Sequence, residues 1–194
     1  MKTYSDIVKM IDALLTTHSH VIIAIDGKCG SGKTTLGTRL QKDCGGLLVH
    51  MDDFYLQAYQ RTKERLSETG GNVDYERFKE EVLDPLLKHQ PFLYRPFDCQ
   101  TMTVTKGEIK EPQNLTIIEG SYSLHPYFGD VYDLRLFMTI DETTQIERLL
   151  HRVGEEKLKD FKSLWIPKEN AYFEYYHIDE NAVIIKGDDL FWNN

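Results

Sequence analysis

Five short runs of aliphatic and β-branched residues punctuate the chain: VIIAI at 21–25, LLVHM at 47–51, LTIIEG at 115–120, LRLFMTI at 134–140 and AVIIKG at 182–187. The runs are continuous rather than alternating, which suits strands covered on both faces, and helix-like stretches lie between them. The pattern predicts an α/β layered fold, a parallel sheet flanked by crossover helices. Ahead of the first run, Ile7, Val8, Ile11, Leu14 and Leu15 recur at helical spacing, and two aspartates interrupt any signal-peptide core. Segment 92–112, FLYRPFDCQTMTVTKGEIKEP, alternates more and carries a KGE turn; it predicts a two-stranded insertion hairpin at the sheet edge. Residues 143–176 read as helical with a break near Pro167, and GEEKLKDFK at 154–162 reads as a solvated face. No repeat or linker divides the 194 residues, so a single domain over 1–194 is expected.

Charge narrows the partners. The chain has 23 basic and 31 acidic residues, a net charge of −8, and no basic run that could track a phosphodiester backbone, so nucleic acid is not expected as a partner. No run approaches the roughly 18 apolar residues of a membrane span. Cys29, Cys44 and Cys99 are odd in number and widely spaced, which suggests neither a disulfide framework nor a zinc site and fits a reducing, cytoplasmic setting.

The chemistry begins where the first apolar run ends. Gly27-Lys28-Cys29-Gly30-Ser31-Gly32-Lys33-Thr34 matches GxxxxGK[ST], placed after a strand and before a helix-like run that starts with Thr35. Glycines let the backbone turn sharply and bring successive N–H groups against phosphate, and the new helix adds its positive end. Lys33 then supplies a cation near the β- and γ-phosphates, and Thr34 a hydroxyl for Mg²⁺. Two strand-end acids face the same crevice. Asp52, in HMDDFY, could take a hydroxyl proton or hold the metal, and Glu119, closing TIIEG, is suited to the metal's surroundings. Period-2 alternation would send Asp52 and Asp53 in opposite directions, so one of them faces the phosphate.

GKCGSGKTT, MDDFY, GGNVDYERF, FDC and IIEGSY, in this order, resemble the uridine kinase and phosphoribulokinase branch of the P-loop kinases over most of residues 21–152. The resemblance implies a three-layer P-loop fold with a five-stranded parallel sheet and a helical lid. It implies transfer of the γ-phosphate of ATP or GTP to a sugar hydroxyl, commonly the 5′-hydroxyl of a nucleoside such as uridine or cytidine. Asp52 would be the base, Tyr55 would lie beside the substrate, and Thr34, Asp52 and Glu119 would surround Mg²⁺. Asp74, in NVD, would grip ribose hydroxyls, although it also fits the N-cap of the helix VDYERFKEEV. Arg148 and Arg152, four apart on one helical face, would be lid arginines over the phosphates.

The pattern is also broken in places. Phe97-Asp98-Cys99 stands where the family has YDF, and Met102 falls where the family has a base-reading histidine. Phe97 can still offer a flat wall, but Met102 has no N–H for a pyrimidine carbonyl. Arg95 could meet an anionic acceptor or pair with a surface acid. The family's lid signature after Arg152 is replaced by VGEEKLKDFKSLWIPKENAYFEYY, whose Trp165, Tyr172, Phe173 and Tyr176 are expected in helix packing or a subunit contact rather than a base pocket. The expected partners are therefore a nucleotide and a small-molecule acceptor, with a homo-oligomer left open. Rival readings are a nucleoside monophosphate kinase, another metabolite kinase of the pantothenate type, and a nucleotide-switched binding module.

Overall fold

A computed structural model describes residues 2–187. In chain order the elements are α1 (Tyr4–Thr17), β1 (Val21–Gly27), α2 (Lys33–Cys44), β2 (Leu47–His50), α3 (Lys63–Ser67), α4 (Tyr75–Phe78), α5 (Asp84–Leu87), β3 (Phe92–Tyr94), β4 (Phe97–Asp98), β5 (Thr103–Val104), β6 (Glu108–Lys110), β7 (Leu115–Glu119), β8 (Leu134–Thr139), α6 (Glu142–Asp160), α7 (Ile166–Tyr176) and β9 (Val183–Lys186). Five strands form one parallel sheet in the order β2-β7-β1-β8-β9. The five apolar runs are these five strands, and β1 and β7 are buried along their whole length.

Continuous apolar strands work because each face meets a different core. Ile23 and Ile25 of β1 join Ile7 and Ile11 of α1 and Leu36 and Leu40 of α2 on one side. Ile22 and Ala24 point the other way, into a cluster with Phe54, Phe78, Phe128, Tyr172 and Phe173. A smaller cluster of Cys29, Leu149 and Leu158 fastens α6 to the loop after β1.

Segment 92–112 forms two short antiparallel ladders, β3 with β6 and β4 with β5. The tight reversal falls at residues 99–102, where Met102 has φ 56°, rather than at KGE, whose Gly107 joins β5 to β6. The helical region departs from the expected break at Pro167. The backbone leaves helical geometry at Gly154 (φ 78°, ψ 170°), whereas Pro167 sits in the first turn of α7, directly after a π-helical turn at Phe161–Trp165. The residues ahead of it are themselves helical (Trp165 φ −74°, ψ −48°), so the chain runs through the proline within one continuous helical stretch. Among the described residues no helix is long and apolar enough to cross a membrane.

The parts are tied together at Asp26, the penultimate residue of β1, which is fully buried. Its Oδ1 accepts the N–H groups of Gly27 (2.7 Å) and Tyr122 (3.2 Å); its Oδ2 accepts the N–H of Leu124 (3.0 Å) and the hydroxyl of Tyr172 (2.9 Å). Burial pushes this carboxyl up to about 6, against the pull of the Leu124 and Gly27 N–H groups and the charge of Lys33. One side chain thus links the central strand, the turn after β7 and helix α7. Asp26→Ala would strand four buried donors, and we expect it to lower unfolding free energy by at least about 3 kcal/mol in urea titration, against about 1 kcal/mol for Tyr172→Phe, which removes one donor. A loss below about 1 kcal/mol for Asp26→Ala would mean that the node is dispensable.

Candidate active site

The turn from β1 to α2 is shaped by two glycines. At Gly27 (φ 133°) a Cβ would lie 2.0 Å from the Met138 carbonyl oxygen of the neighbouring strand, so a side chain has no room. Gly32 (φ 99°) occupies the N-cap of α2 with no side chain to bond the first-turn N–H groups, which leaves them directed at whatever the loop holds. Lys33 is buried and folded back, its Nζ donating to the carbonyls of Gly27 (2.6 Å) and Lys28 (3.1 Å).

The carboxyl ends of the adjacent strands complete the site. In the parallel register His50 of β2 stands opposite Glu119 of β7. The His50 Nδ1 meets Glu119 Oε1 at 2.5 Å, and the Thr34 hydroxyl donates to both Glu119 oxygens at 3.1–3.2 Å. The bond to Glu119 raises the His50 pKa against the opposing effect of burial. Thr34 and Glu119 are thus brought together, with Asp52 on the same cavity as Thr34, a set of hard oxygen donors that suits Mg²⁺. Among the described residues no three His, Cys, Asp or Glu side chains form a metal cage by themselves, so a cation there would complete its coordination with phosphate oxygens and water.

Strand β2 stops at His50, and the two aspartates lie on a 3₁₀ turn, Met51–Asp53, rather than on the extended strand assumed for alternation. They nevertheless diverge. Asp52 opens to the cavity, while Asp53 turns to Tyr94, accepting its hydroxyl at 2.5 Å. Enclosure in the cleft pushes the Asp52 carboxyl up to about 6; Lys33 opposes this shift, and Glu119, Glu169 and Asp53 add to it.

A cavity of about 930 Å³ runs past Lys33, Thr34 and Asp52, with His50, Glu119 and Asp53 outside its lining. Cys29, Gly30, Gly32, Lys33, Thr34, Thr35 and Asp52 line its phosphate side, and Arg148 and Arg152 overlook it from α6. Gly27 and Ser31 shape the loop from behind, and Ser31 is fully buried. Tyr55, Phe97, Cys99, Met102 and Trp165 also line the cavity, as does Phe161, which packs against the Cys29–Leu149–Leu158 cluster and lies under the Arg152 guanidinium (5.6 Å to the ring centroid). Trp165 was expected in helix packing. The π turn shifts the angular position of its residues, and Phe161 and Trp165 meet the cavity while Tyr172 and Phe173 enter the core.

Two residues proposed from sequence for the acceptor are committed elsewhere. Asp74 does not line the cavity: it caps α4, accepting the Arg77 N–H on Oδ1 (3.2 Å), and its Oδ2 takes Gln60 Nε2 (2.9 Å) and Arg77 Nε (3.4 Å). Asn72, two positions earlier, is on the wall in its place. Arg95 lies outside the cavity and forms an ion pair with Glu81, the surface pairing that sequence left open. Ser121 and Tyr122, the end of IIEGSY, reach the wall through the turn after β7; Glu169 had no local signal, and only the fold brings it from α7 to the loop.

No family model matches the chain. It is 27% identical to the uridine kinase of Ligilactobacillus salivarius over 167 residues, 81% of this chain and 78% of that protein. In structure it superimposes on a candidate fructose transport system kinase from Silicibacter sp. TM1040 with a TM-score of 0.72, 23% identity and full coverage of both chains. A candidate uridine kinase from Bacillus stearothermophilus aligns with a TM-score of 0.62 and 20% identity, over 93% of this chain and 99% of that one. The sequence relative is named a uridine kinase, and the two solved structures share the α/β fold of this chain.

The roles of the neighbouring side chains separate by substitution. Lys33→Ala should lower phosphoryl transfer at least about a hundredfold, and Asp52→Asn by about a hundredfold or more with nucleotide binding retained, whereas Asp53→Asn should cost far less. If Asp52 serves as the base, its raised pKa in the cleft means that kcat/KM should fall on the acid side as its carboxylate takes up a proton. Steady-state pH profiles with parallel nucleotide-binding titrations check both points, and the opposite ranking of Asp52→Asn and Asp53→Asn would move the base to Asp53.

Proposed function

We propose that this P-loop kinase, similar in sequence to uridine kinases, transfers the γ-phosphate of ATP or GTP to a sugar hydroxyl, the 5′-hydroxyl of a nucleoside being the acceptor that its cavity suits best. The observation that carries this reading is the arrangement of the cavity. One cavity is lined by the phosphate loop with Lys33, by Asp52, and by Phe97 and Trp165, which offer flat apolar surface.

In this reading the loop N–H groups and the start of α2 hold the donor phosphates, and Lys33 leaves the loop carbonyls to follow the transferring group. Arg148 and Arg152 offset charge that spreads over the phosphoryl oxygens. Asp52 orients the acceptor hydroxyl and accepts its proton as the oxygen attacks in line. Thr34, Asp52 and Glu119 would hold Mg²⁺, which when bound supplies positive charge to the phosphate oxygens. His50 keeps the Glu119 carboxylate in place from behind.

For the acceptor, the flat apolar body of a base would stack against Phe97 and Trp165, and Asn72 would serve the sugar hydroxyls in preference to Asp74, whose oxygens are already engaged. Cys99 and Met102 at the hairpin tip provide no strong hydrogen-bond donor for a base edge, so the sugar should matter more than the base. A site that bonds a hydroxyl rejects analogues lacking it because its own polar group is left unpaired. Ribonucleosides are therefore expected to exceed their 2′-deoxy forms in kcat/KM, with weak discrimination among uridine, cytidine and adenosine, and Asn72→Ala should shrink the ribose preference more than Asp74→Ala does. Arg61 on the cavity wall makes uridine monophosphate a necessary member of the panel. Turnover of the monophosphate alone, or of a non-nucleoside alcohol such as pantothenate alone, would keep the kinase and remove the nucleoside.

A further inference from the structure

Glu169 lies on α7, far along the chain from the phosphate loop, yet its carboxylate ends on that loop. Its Oε2 accepts the Cys29 N–H at 2.9 Å and its Oε1 accepts the Ser121 hydroxyl at 2.6 Å. The side chain is almost entirely enclosed, and Glu169, Cys29 and Ser121 line the same cavity as Lys33 and Asp52. A loop built to offer N–H groups to phosphate oxygens thus has one of them held by a carboxylate of its own chain. Two anions cannot share that position at contact distance in an enclosed site without a large electrostatic cost.

We propose that Glu169 is a specificity-determining residue for the phosphate donor: its carboxylate competes with the terminal phosphoryl group of a nucleoside triphosphate for the Cys29 N–H, so a triphosphate moves it aside and a diphosphate does not. The inference rests on the kinase reading above. It also joins the two halves of the cavity, because Trp165, which precedes the first turn of the helix that carries Glu169, forms part of the acceptor wall. Displacing the carboxylate would shift that wall when the donor arrives. After transfer, the carboxylate would return to Cys29 as the product diphosphate prepares to leave.

The test is calorimetric titration of Mg²⁺-ATP and Mg²⁺-ADP into the wild-type protein, Glu169→Gln and Ser121→Ala. Glutamine keeps the length and can still accept the Cys29 N–H, but carries no charge. Glu169→Gln should tighten ATP about tenfold while changing ADP less than about twofold. Ser121→Ala, which frees one oxygen of the carboxylate, should shift the ATP-to-ADP affinity ratio in the same direction and by less; its ratio carries the test if Glu169→Gln does not fold. Equal changes for both nucleotides would make Glu169 a structural tie and overturn the proposal. An unchanged ratio with reduced kcat/KM for the acceptor would overturn it in favour of an acceptor contact. A wild-type protein that binds neither nucleotide would instead remove the kinase reading on which the proposal stands.

Discussion

The bonds that converge on Asp26 are the constraint on which the site depends. A carboxylate in a fully buried position is costly unless its oxygens are satisfied, and here both are, by the backbone of the phosphate loop, by the turn after β7 and by the Tyr172 hydroxyl of α7. These three segments carry Cys29 to Lys33, Ser121 and Tyr122, and Glu169, which together form much of the cavity wall. The turn is drawn so tightly that Gly120 (φ 136°) would place a Cβ 2.9 Å from that of Met51, and Tyr122 is held at φ 71°, a conformation that non-glycine residues seldom adopt. The cost of that geometry is met next to the chemistry, where backbone strain tends to be kept.

The charges in the cavity follow a related logic. Asp52, Glu119 and Glu169 bring negative charge toward a space meant for phosphate, and Lys33, Arg148 and Arg152 bring the opposite sign to its rim. The carboxylates are kept in check by partners: Glu119 by Thr34 and His50, Glu169 by Cys29 and Ser121. Asp52 is left open to the cavity, where enclosure raises its pKa, as the proposed role of a base would need. The hairpin and the π turn, the two places where the chain departs from the regular alternation of strands and helices, also supply residues to the cavity wall.

Much of this was legible in the amino-acid sequence, for identifiable reasons. The five apolar runs became the five strands because burial on both faces leaves a continuous signature, and the phosphate loop was legible because its glycines and lysine answer to backbone geometry over a few consecutive residues. The common carboxyl edge of parallel strands placed Glu119 on the crevice, and the family resemblance implied its grouping with Thr34, which the structure pairs by hydrogen bond. Local sequence could not choose between two roles for Asp74; cap geometry claims its oxygens, and Asn72 reaches the cavity wall. A π turn leaves no mark in the spacing of apolar residues, so nothing local shows that Trp165 meets the cavity, and the helix breaks at Gly154, whose positive φ a glycine permits, while Pro167 is carried within it. Glu169 and Asp26 carried no local signal, since their partners lie up to 146 residues away in the chain.

The central claim is that the loop and Asp52 pass phosphate directly to an acceptor hydroxyl. It is tested most directly by following labelled phosphate from [γ-³²P]ATP in the presence of Mg²⁺ and a ribonucleoside. The account predicts label in a nucleoside 5′-monophosphate, formed one for one with ADP and only when the acceptor is present. Label recovered solely as inorganic phosphate, at a rate that no acceptor alters, would contradict it and identify the chain as a nucleotide-hydrolysing switch.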